Sequence, residues 1–173
     1  MLRRHFLSAL GLGLATPQLF AEPKRNKPLL ESLGTFQPMP NFKLTDLQGN
    51  EHTPDIYRGK VLLINFWATW CPPCLAEMDS MARLYEMQKS RPFGMLAIAM
   101  SQSSEQVNDY AQKHPHPYPL LPDPDGTVSQ AFNVKGLPTS YLTNRSGQLV
   151  FRAQGGRKWD SERMQRAISL LYS

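Results

Sequence analysis

The most regular hydrophobic pattern in the chain lies between residues 61 and 85. Apolar residues run from Val61 to Ile64 and resume at Phe66 and Trp67, which is the length and composition of a β-strand buried on both faces. Beyond residue 73 the apolar positions recur at helical spacing, at Leu75, Met78, Ala82 and Tyr85. The pattern therefore predicts a strand over residues 61–67 and, directly after it, a helix that runs to about Lys89.

The rest of the chain alternates between strand and helix patterns. After the first helix we predict a strand over 93–100, a helix over 105–113 capped by Ser103 or Ser104, a short strand over 118–121 and a short helix over 127–132. Two strands, 138–142 and 149–151, flank a turn at 144–147, and a last helix follows Asp160 or Ser161. Ahead of the central strand, residues 38–53 predict a β-hairpin around a turn at 46–50.

The N-terminus has the pattern of an export signal. Arg3 and Arg4 precede about ten mostly apolar residues, and the small residue Ala21 marks a cleavage zone, which predicts a signal peptide over 1–21. Ten residues are half of what a spanning helix needs, so an uncleaved anchor is disfavoured. The paired arginines also resemble a twin-arginine signal, and both export routes stay open. Either route predicts a periplasmic protein, with a flexible leader over 22–35.

Composition limits the classes of partner. The formal net charge is +5 and 41% of residues are hydrophobic, enough for one packed domain, which we place at 36–173. The basic residues near the C-terminus are spread among acidic and apolar positions and form no continuous stripe. We therefore expect no nucleic-acid partner, and we expect a monomer.

The two cysteines of the chain supply the candidate chemistry. Cys71 and Cys74 form a C-x-x-C pair where the central strand gives way to a helix N-terminus, whose free N–H groups favour a thiolate. Cys71 is the outer, nucleophilic thiol and Cys74 the resolving one. A structural disulfide would close too short a loop to add much stability, and a zinc site would need ligands that the chain does not space suitably. The pair therefore predicts thiol–disulfide exchange, with no metal and no cofactor.

The segment Asn65–Cys74 (NFWATWCPPC), with Gly136–Thr139 (GLPT) further on, resembles the thioredoxin superfamily, and within it the exported TlpA- and ResA-like thiol–disulfide oxidoreductases. The resemblance runs from about Phe36 to Leu171. It implies an α/β thioredoxin fold, in which helices flank a central mixed sheet. It also implies the N-terminal hairpin and a helix–strand insertion before the last two strands.

The same resemblance assigns residues that contact the substrate. Pro138 corresponds to the superfamily's cis-proline, which faces the cysteine pair and leaves backbone groups free to bind an extended segment, and Leu137 shapes the groove beside it. A plain turn proline is the alternative for Pro138. Pro72 and Pro73 lie between the cysteines, and Trp70 stands next to the nucleophile, where it shields the thiolate and contacts partners.

Glu77 is the candidate proton carrier. It follows Cys74 by three residues and so shares its face of the helix. ResA-like proteins carry a glutamate here, and burial would raise its pKa and let it exchange a proton with Cys74. The alternative is a solvated surface glutamate. Asn65 replaces the buried aspartate of ordinary thioredoxins, which leaves the proton transfer to Glu77 or to water.

Two functions from different classes follow. The first, which the resemblance implies, is a periplasmic disulfide reductase that is re-reduced by a membrane thiol reductant of the DsbD or CcdA kind. The resemblance further implies a role in cytochrome c maturation or oxidase assembly. The second is a copper metallochaperone for oxidase assembly, which would bind copper through the two thiolates and would need a third nearby ligand. His114 and His116 are weak evidence for copper, because the chain shows no matching ligands. A peroxidase would need a threonine where Ala68 stands.

Overall fold

The computed structural model describes residues 28–172, so the predicted signal peptide over 1–21 and the leader up to residue 27 lie outside the described residues. The strands are β1 Glu31–Pro38, β2 Leu44–Thr45, β3 Glu51–His52, β4 Val61–Trp67, β5 Phe93–Met100, β6 Leu120–Asp123, β7 Thr139–Thr143 and β8 Gln148–Gln154. Six of them form one sheet in the order β1-β8-β7-β4-β5-β6. β2 and β3 form a separate hairpin that precedes the central strand β4.

Helices cover both faces of this sheet, which confirms the predicted α/β thioredoxin fold. The helices are α1 Pro72–Met87, α2 Ser104–Lys113, α3 Thr127–Ala131 and α4 Glu162–Ser169, and short 3₁₀ turns occupy Pro54–Tyr57 and Leu170–Tyr172. α2, β6 and α3 together are the predicted insertion between β5 and β7. None of the helices between residues 28 and 172 is long and apolar enough to cross a membrane.

The central strand β4 organises the core. It pairs in parallel with β5 and antiparallel with β7, and all seven of its side chains are buried. Because strand side chains alternate, Leu63 and Trp67 pack with α1 and α4 on one face, while Ile64 and Phe66 pack with aromatic residues on the other. β4 is therefore packed on both faces up to its last residue, Trp67, and the cysteine pair follows a short loop after it.

One boundary needs correction, because the predicted flexible leader over 22–35 overlaps β1. Residues from Glu31 onward pair antiparallel with β8, and Leu29 and Leu30 pack against the core. The carboxylate of Glu31 accepts a hydrogen bond from Arg152 at 3.0 Å. The segment has no hydrophobic periodicity because most of β1 is exposed, and pairing with β8 orders it. Smaller differences are α1 ending at Met87 and β6 beginning at Leu120.

The predicted N-terminal hairpin is present and is anchored by a buried chain of hydrogen bonds. The imidazole of His52 lies 3.0 Å from the carboxylate of Asp46 and 2.6 Å from the hydroxyl of Tyr57. Asp46 also accepts hydrogen bonds from the main-chain N–H groups of Gln48 and Asn50. These polar contacts join the hairpin turn to the 3₁₀ turn that leads into β4.

Candidate active site

Cys71 and Cys74 are joined in a disulfide at the N-terminus of α1, with Sγ atoms 2.10 Å apart. Cys71 is the N-cap residue, and Pro72 occupies the first helical position, where a missing N–H costs nothing. Cys71 retains 4% of its surface accessibility and Cys74 none. Both cysteines are therefore buried, and Cys71 is the one that keeps a small accessible surface.

A groove of about 480 Å³ opens beside Cys71. It brings together four of the five predicted substrate-contact residues, and its lining comprises Trp70, Cys71, Pro72, Pro73, Met100, Ser101, Val134, Lys135, Gly136 and Leu137. The fifth, Pro138, is buried, and a cis peptide bond joins it to Leu137 in the lining. Trp70 stands at the rim with 70% of its surface exposed. The groove is mostly apolar, which suits an extended protein segment that presents its disulfide to Cys71.

Met100, Ser101, Val134 and Lys135 were not identified from the sequence. Met100 ends β5, and β4 and β5 run parallel, so the end of β5 lies beside the end of β4, where Cys71 follows. The rule that ligands bind at the carboxyl ends of parallel strands could have found this pair of residues. Val134 and Lys135 come directly before the GLPT segment and could have been included as its continuation.

The side chain of Gln102 joins the loop before Cys71 to the loop after β5 by two hydrogen bonds. Its side-chain oxygen accepts a hydrogen bond from the main-chain N–H of Thr69 at 2.8 Å, and its amide nitrogen donates to the Thr69 hydroxyl at 2.7 Å. Gln102 is buried, and both bonds are partly shielded from water. The loop before Cys71 is therefore held against the loop after β5. Nothing in the sequence pattern marked Gln102 for this role.

Glu77 is buried in the core, so the alternative of a solvated surface glutamate is wrong. Its Oε1 accepts a hydrogen bond from Nδ2 of Asn65 at 2.8 Å. Its Oε2 accepts hydrogen bonds from the main-chain N–H of Arg157 at 2.8 Å and from the indole of Trp159 at 3.1 Å. Burial raises the pKa of Glu77 to about 7, and these hydrogen bonds to the charged form limit the rise. Glu77 can therefore gain or lose a proton near neutral pH.

The loop after β8 delivers two of these three donors. Gly155 donates its N–H to the carbonyl of Pro138 at 2.8 Å, and a Cβ on Gly156 would lie 3.1 Å from the carbonyl oxygen of Pro73. This close approach brings Arg157 and its neighbours against α1. Because the loop lies about 80 residues beyond Glu77, spacing along the sequence could not reveal the contact.

The two histidines near α2 belong to an aromatic cluster. His114 stacks on Tyr110 at 4.8 Å between ring centroids, and His116 stacks on Tyr118 at 5.3 Å. Burial lowers the pKa of His116. Within residues 28–172 no group of three or more His, Cys, Asp or Glu side chains is arranged to hold a metal ion.

The sequence of this chain is similar to those of thiol-disulfide oxidoreductases named ResA. The chain is 38% identical over 110 residues to the thiol-disulfide oxidoreductase ResA of Geobacillus kaustophilus, with 64% of the chain and 63% of that relative covered. The chain therefore spans somewhat less than two thirds of that relative's length. It is 33% identical over 120 residues to the ResA of Bacillus subtilis, with 69% and 67% covered.

Solved structures and a family model agree with these relatives. The fold matches a candidate thiol:disulfide interchange protein DsbE from Chlorobium tepidum with a TM-score of 0.75 and 26% identity, over 82% of this chain and 100% of that one. The model of the Redoxin family matches residues 36–168, which include every groove and disulfide residue described above. The chain belongs to the Redoxin family, and its resemblance to the ResA-like thiol–disulfide oxidoreductases is confirmed.

Proposed function

We propose that this protein is an exported thiol–disulfide oxidoreductase that reduces disulfides of partner proteins in the periplasm. One observation carries the proposal. Cys71 of the disulfide lines an apolar groove, and Glu77, a buried carboxyl with a pKa of about 7, follows Cys74 by one turn of α1. The names of the ResA relatives and of the Chlorobium protein support the same chemistry.

The reduced protein would react in two steps that balance in atoms and electrons. The thiolate of Cys71 attacks one sulfur of the partner's disulfide and forms a mixed disulfide, and the partner's other sulfur leaves as a thiolate that takes a proton. Glu77 then accepts the proton of the Cys74 thiol. The Cys74 thiolate attacks the Cys71 sulfur, and the partner's second sulfur leaves as a thiolate that takes the proton from Glu77. The partner thus gains two electrons and two protons, one proton from Glu77 and one from solvent, and the protein regains its disulfide.

A dithiol that is consumed in this way must be regenerated outside the cytoplasm. We propose a membrane thiol reductant of the DsbD or CcdA kind as the electron donor. As substrates we propose the haem-binding cysteines of apocytochrome c or the copper-site cysteines of oxidase assembly factors. The apolar groove supports an extended, cysteine-containing segment as the bound form of either substrate.

The proposal is tested by three measurements on one purified sample: insulin-disulfide reduction, the equilibrium potential against glutathione, and Cu(I) retention. We expect reduction of insulin, a potential more negative than that of glutathione, and loss of copper on gel filtration. The Cys71→Ser variant is the inactive control. A potential well above that of glutathione would indicate an oxidant, and stoichiometric retention of Cu(I) without insulin reduction would favour the metallochaperone.

A further inference from the structure

Asn65 carries a buried acceptor that is left without a partner. The residue has no exposed surface. Both hydrogens of its amide are used, because Nδ2 donates to Oε1 of Glu77 at 2.8 Å and to Oγ of Ser140 at 2.9 Å. Its Oδ1 is also buried, and within residues 28–172 it accepts no hydrogen bond. Because buried side-chain oxygens are usually satisfied, this one needs a physical explanation.

The orientation of the amide follows from its neighbours. If the amide were reversed while Glu77 is ionised, Oδ1 would face a carboxylate oxygen of Glu77 at hydrogen-bond distance, and neither atom could donate. The ionised form of Glu77 therefore holds Nδ2 toward itself and turns Oδ1 away. The unpartnered oxygen is a consequence of the bond to Glu77 and not of an arbitrary choice between the two amide atoms.

Asn65 lies on the side of the sheet that carries the resolving cysteine. Leu63 and Trp67, which flank it at alternate positions on β4, belong to the same core cluster as Cys74. Glu77 follows Cys74 by one helical turn, and helical side chains lean toward the N-terminus, so its carboxylate lies over the turn that holds Cys74. Cys74 and the amide that binds this carboxylate therefore lie on the same side of the sheet, beside the same part of α1.

Reduction changes what this neighbourhood contains. Two electrons and two protons convert the Cys71–Cys74 disulfide into two sulfhydryl groups, and the one on Cys74 is a new donor in a buried apolar site. We propose that Oδ1 of Asn65 accepts the S–H hydrogen bond of Cys74 in the reduced protein. Oδ1 of Asn65, which has no donor among residues 28–172 of the oxidised protein, then has one in the reduced protein, the S–H group of Cys74. This inference rests on the dithiol cycle proposed above.

The arrangement divides two tasks between neighbouring groups. Asn65 cannot titrate, so it holds the proton on Cys74 and keeps the resolving thiol neutral until a mixed disulfide forms. Glu77 has the basicity to remove that proton. An aspartate at position 65 would place a second carboxylate beside Glu77, and like charges in a buried site disfavour ionisation of both. Asn65 is thus a positioning residue that acts through Cys74.

Infrared spectroscopy of the reduced protein tests the inference directly. A hydrogen-bonded S–H group absorbs at a lower stretching frequency than a free one, and the Cys71→Ser variant retains Cys74 as its single thiol, which assigns the band. We expect the hydrogen-bonded position in this variant. Adding Asn65→Leu, which keeps the shape and removes both polar atoms, should shift the band to the free-thiol position.

Two companion variants keep the test specific. Asn65→Asp retains an oxygen at the δ position and should keep the low-frequency band, and Ser140→Ala removes the other partner of the amide and should also leave it unshifted. If Cys71→Ser with Asn65 intact already absorbs at the free-thiol frequency, the inference is overturned. This measurement does not require Asn65→Leu to fold. A band that Asn65→Leu leaves in place also overturns the inference. Failure of insulin reduction with a hydrogen-bonded band would instead reject only the proposed reductase function.

Discussion

The carboxylate of Glu77 accepts hydrogen bonds from a side-chain amide, a main-chain N–H and an indole. Such bonds favour the charged form and alone would hold the pKa of a carboxyl low. Burial acts in the opposite direction and is the larger effect, so the pKa rises to about 7. At the scale of the residue, burial raises the pKa of Glu77 enough to make it a base for Cys74. The three hydrogen-bond donors limit that rise, so the carboxyl can still lose its proton near neutral pH.

Replacing Glu77 by glutamine should slow the release of a partner from a preformed mixed disulfide. In the parent protein this release should speed up as the pH rises through about 7, because Glu77 loses its proton there and becomes able to accept that of Cys74. Glu77→Gln should be slower by at least about tenfold at pH 8 and should lack this rise. Stopped-flow release of a labelled peptide measures both. Glu86→Gln, at an exposed site on α1, is the matched control; equal rates in all three proteins would remove Glu77 from the mechanism.

The same carboxyl predicts how stability depends on pH. The pKa of Glu77 is raised from 4.5 to about 7 in the folded protein, so the folded state binds this proton more tightly than the unfolded state. The resulting stabilisation is complete below about pH 4.5 and is lost as the pH rises through about 7, a change of about 3 kcal/mol. Urea unfolding of the oxidised parent and of Glu77→Gln should show a stability difference that changes by this amount. Parallel curves would contradict the raised pKa.

Replacing Cys74 by serine should trap partners. Cys71 remains at the groove and can still attack a disulfide, but the thiol that completes the reaction is absent, so mixed disulfides accumulate. Non-reducing gels with mass spectrometry of the cross-linked peptides measure the adducts. Cys71→Ser is the reciprocal control and should form none, because the remaining Cys74 is fully buried. Adducts with the control alone would reverse the assigned roles.

At the scale of elements, local signals account for α2. Ser103 accepts a hydrogen bond from the N–H of Gln106, whose side chain accepts one from the N–H of Ser103, so the helix begins with a complete capping box. Ser103→Ala should lower the free energy of unfolding by about 1 kcal/mol. Chemical denaturation measures this loss. Ser104→Ala, one residue later and equally exposed, should change stability by clearly less, and equal losses would show that the cap contributes nothing.

How far the elements could be predicted depended on where their determinants lie. β4, α1 and the cap of α2 were predicted because each follows from residues within a few positions. β1 was missed because its side chains are mostly exposed and its order comes from β8, more than a hundred residues away. The site divides in the same way. The cysteine pair was evident from spacing, whereas the donors to Glu77 come from a distant loop that only the folded chain brings near.

At the scale of the whole molecule, Arg157 connects the start of the described chain to the redox site. Its main-chain N–H binds Glu77, and its guanidinium donates to the carbonyl oxygens of Leu29 at 3.1 Å and Pro28 at 3.4 Å. β1 continues from this point and pairs with β8 as the edge strand of the sheet. The N-terminal segment is therefore fastened beside the loop that supports the buried carboxylate.

Removing the Arg157 side chain should loosen that segment. Arg157→Ala deletes the bonds to Pro28 and Leu29, so amide hydrogen exchange over residues 29–38 should become faster by several-fold, since edge pairing alone then holds the strand. Mass-spectrometric hydrogen exchange measures this. Arg145→Ala, which removes a comparable bond to the carbonyl of Gly59, is the control and should leave this segment unchanged. Unaltered protection in Arg157→Ala would show that β1 does not depend on the anchor.

The fluorescence of Trp70 should report the redox state of the cysteine pair and the occupancy of the groove. The other two tryptophans, Trp67 and Trp159, are enclosed in the core, whereas Trp70 is mostly exposed and adjoins Cys71 at the groove. Disulfides quench the fluorescence of nearby indoles, and a bound segment would remove water from the ring. Emission from Trp70 should therefore brighten when the pair is reduced and shift to shorter wavelength when the groove is occupied. Turnover can be followed in real time without an added label.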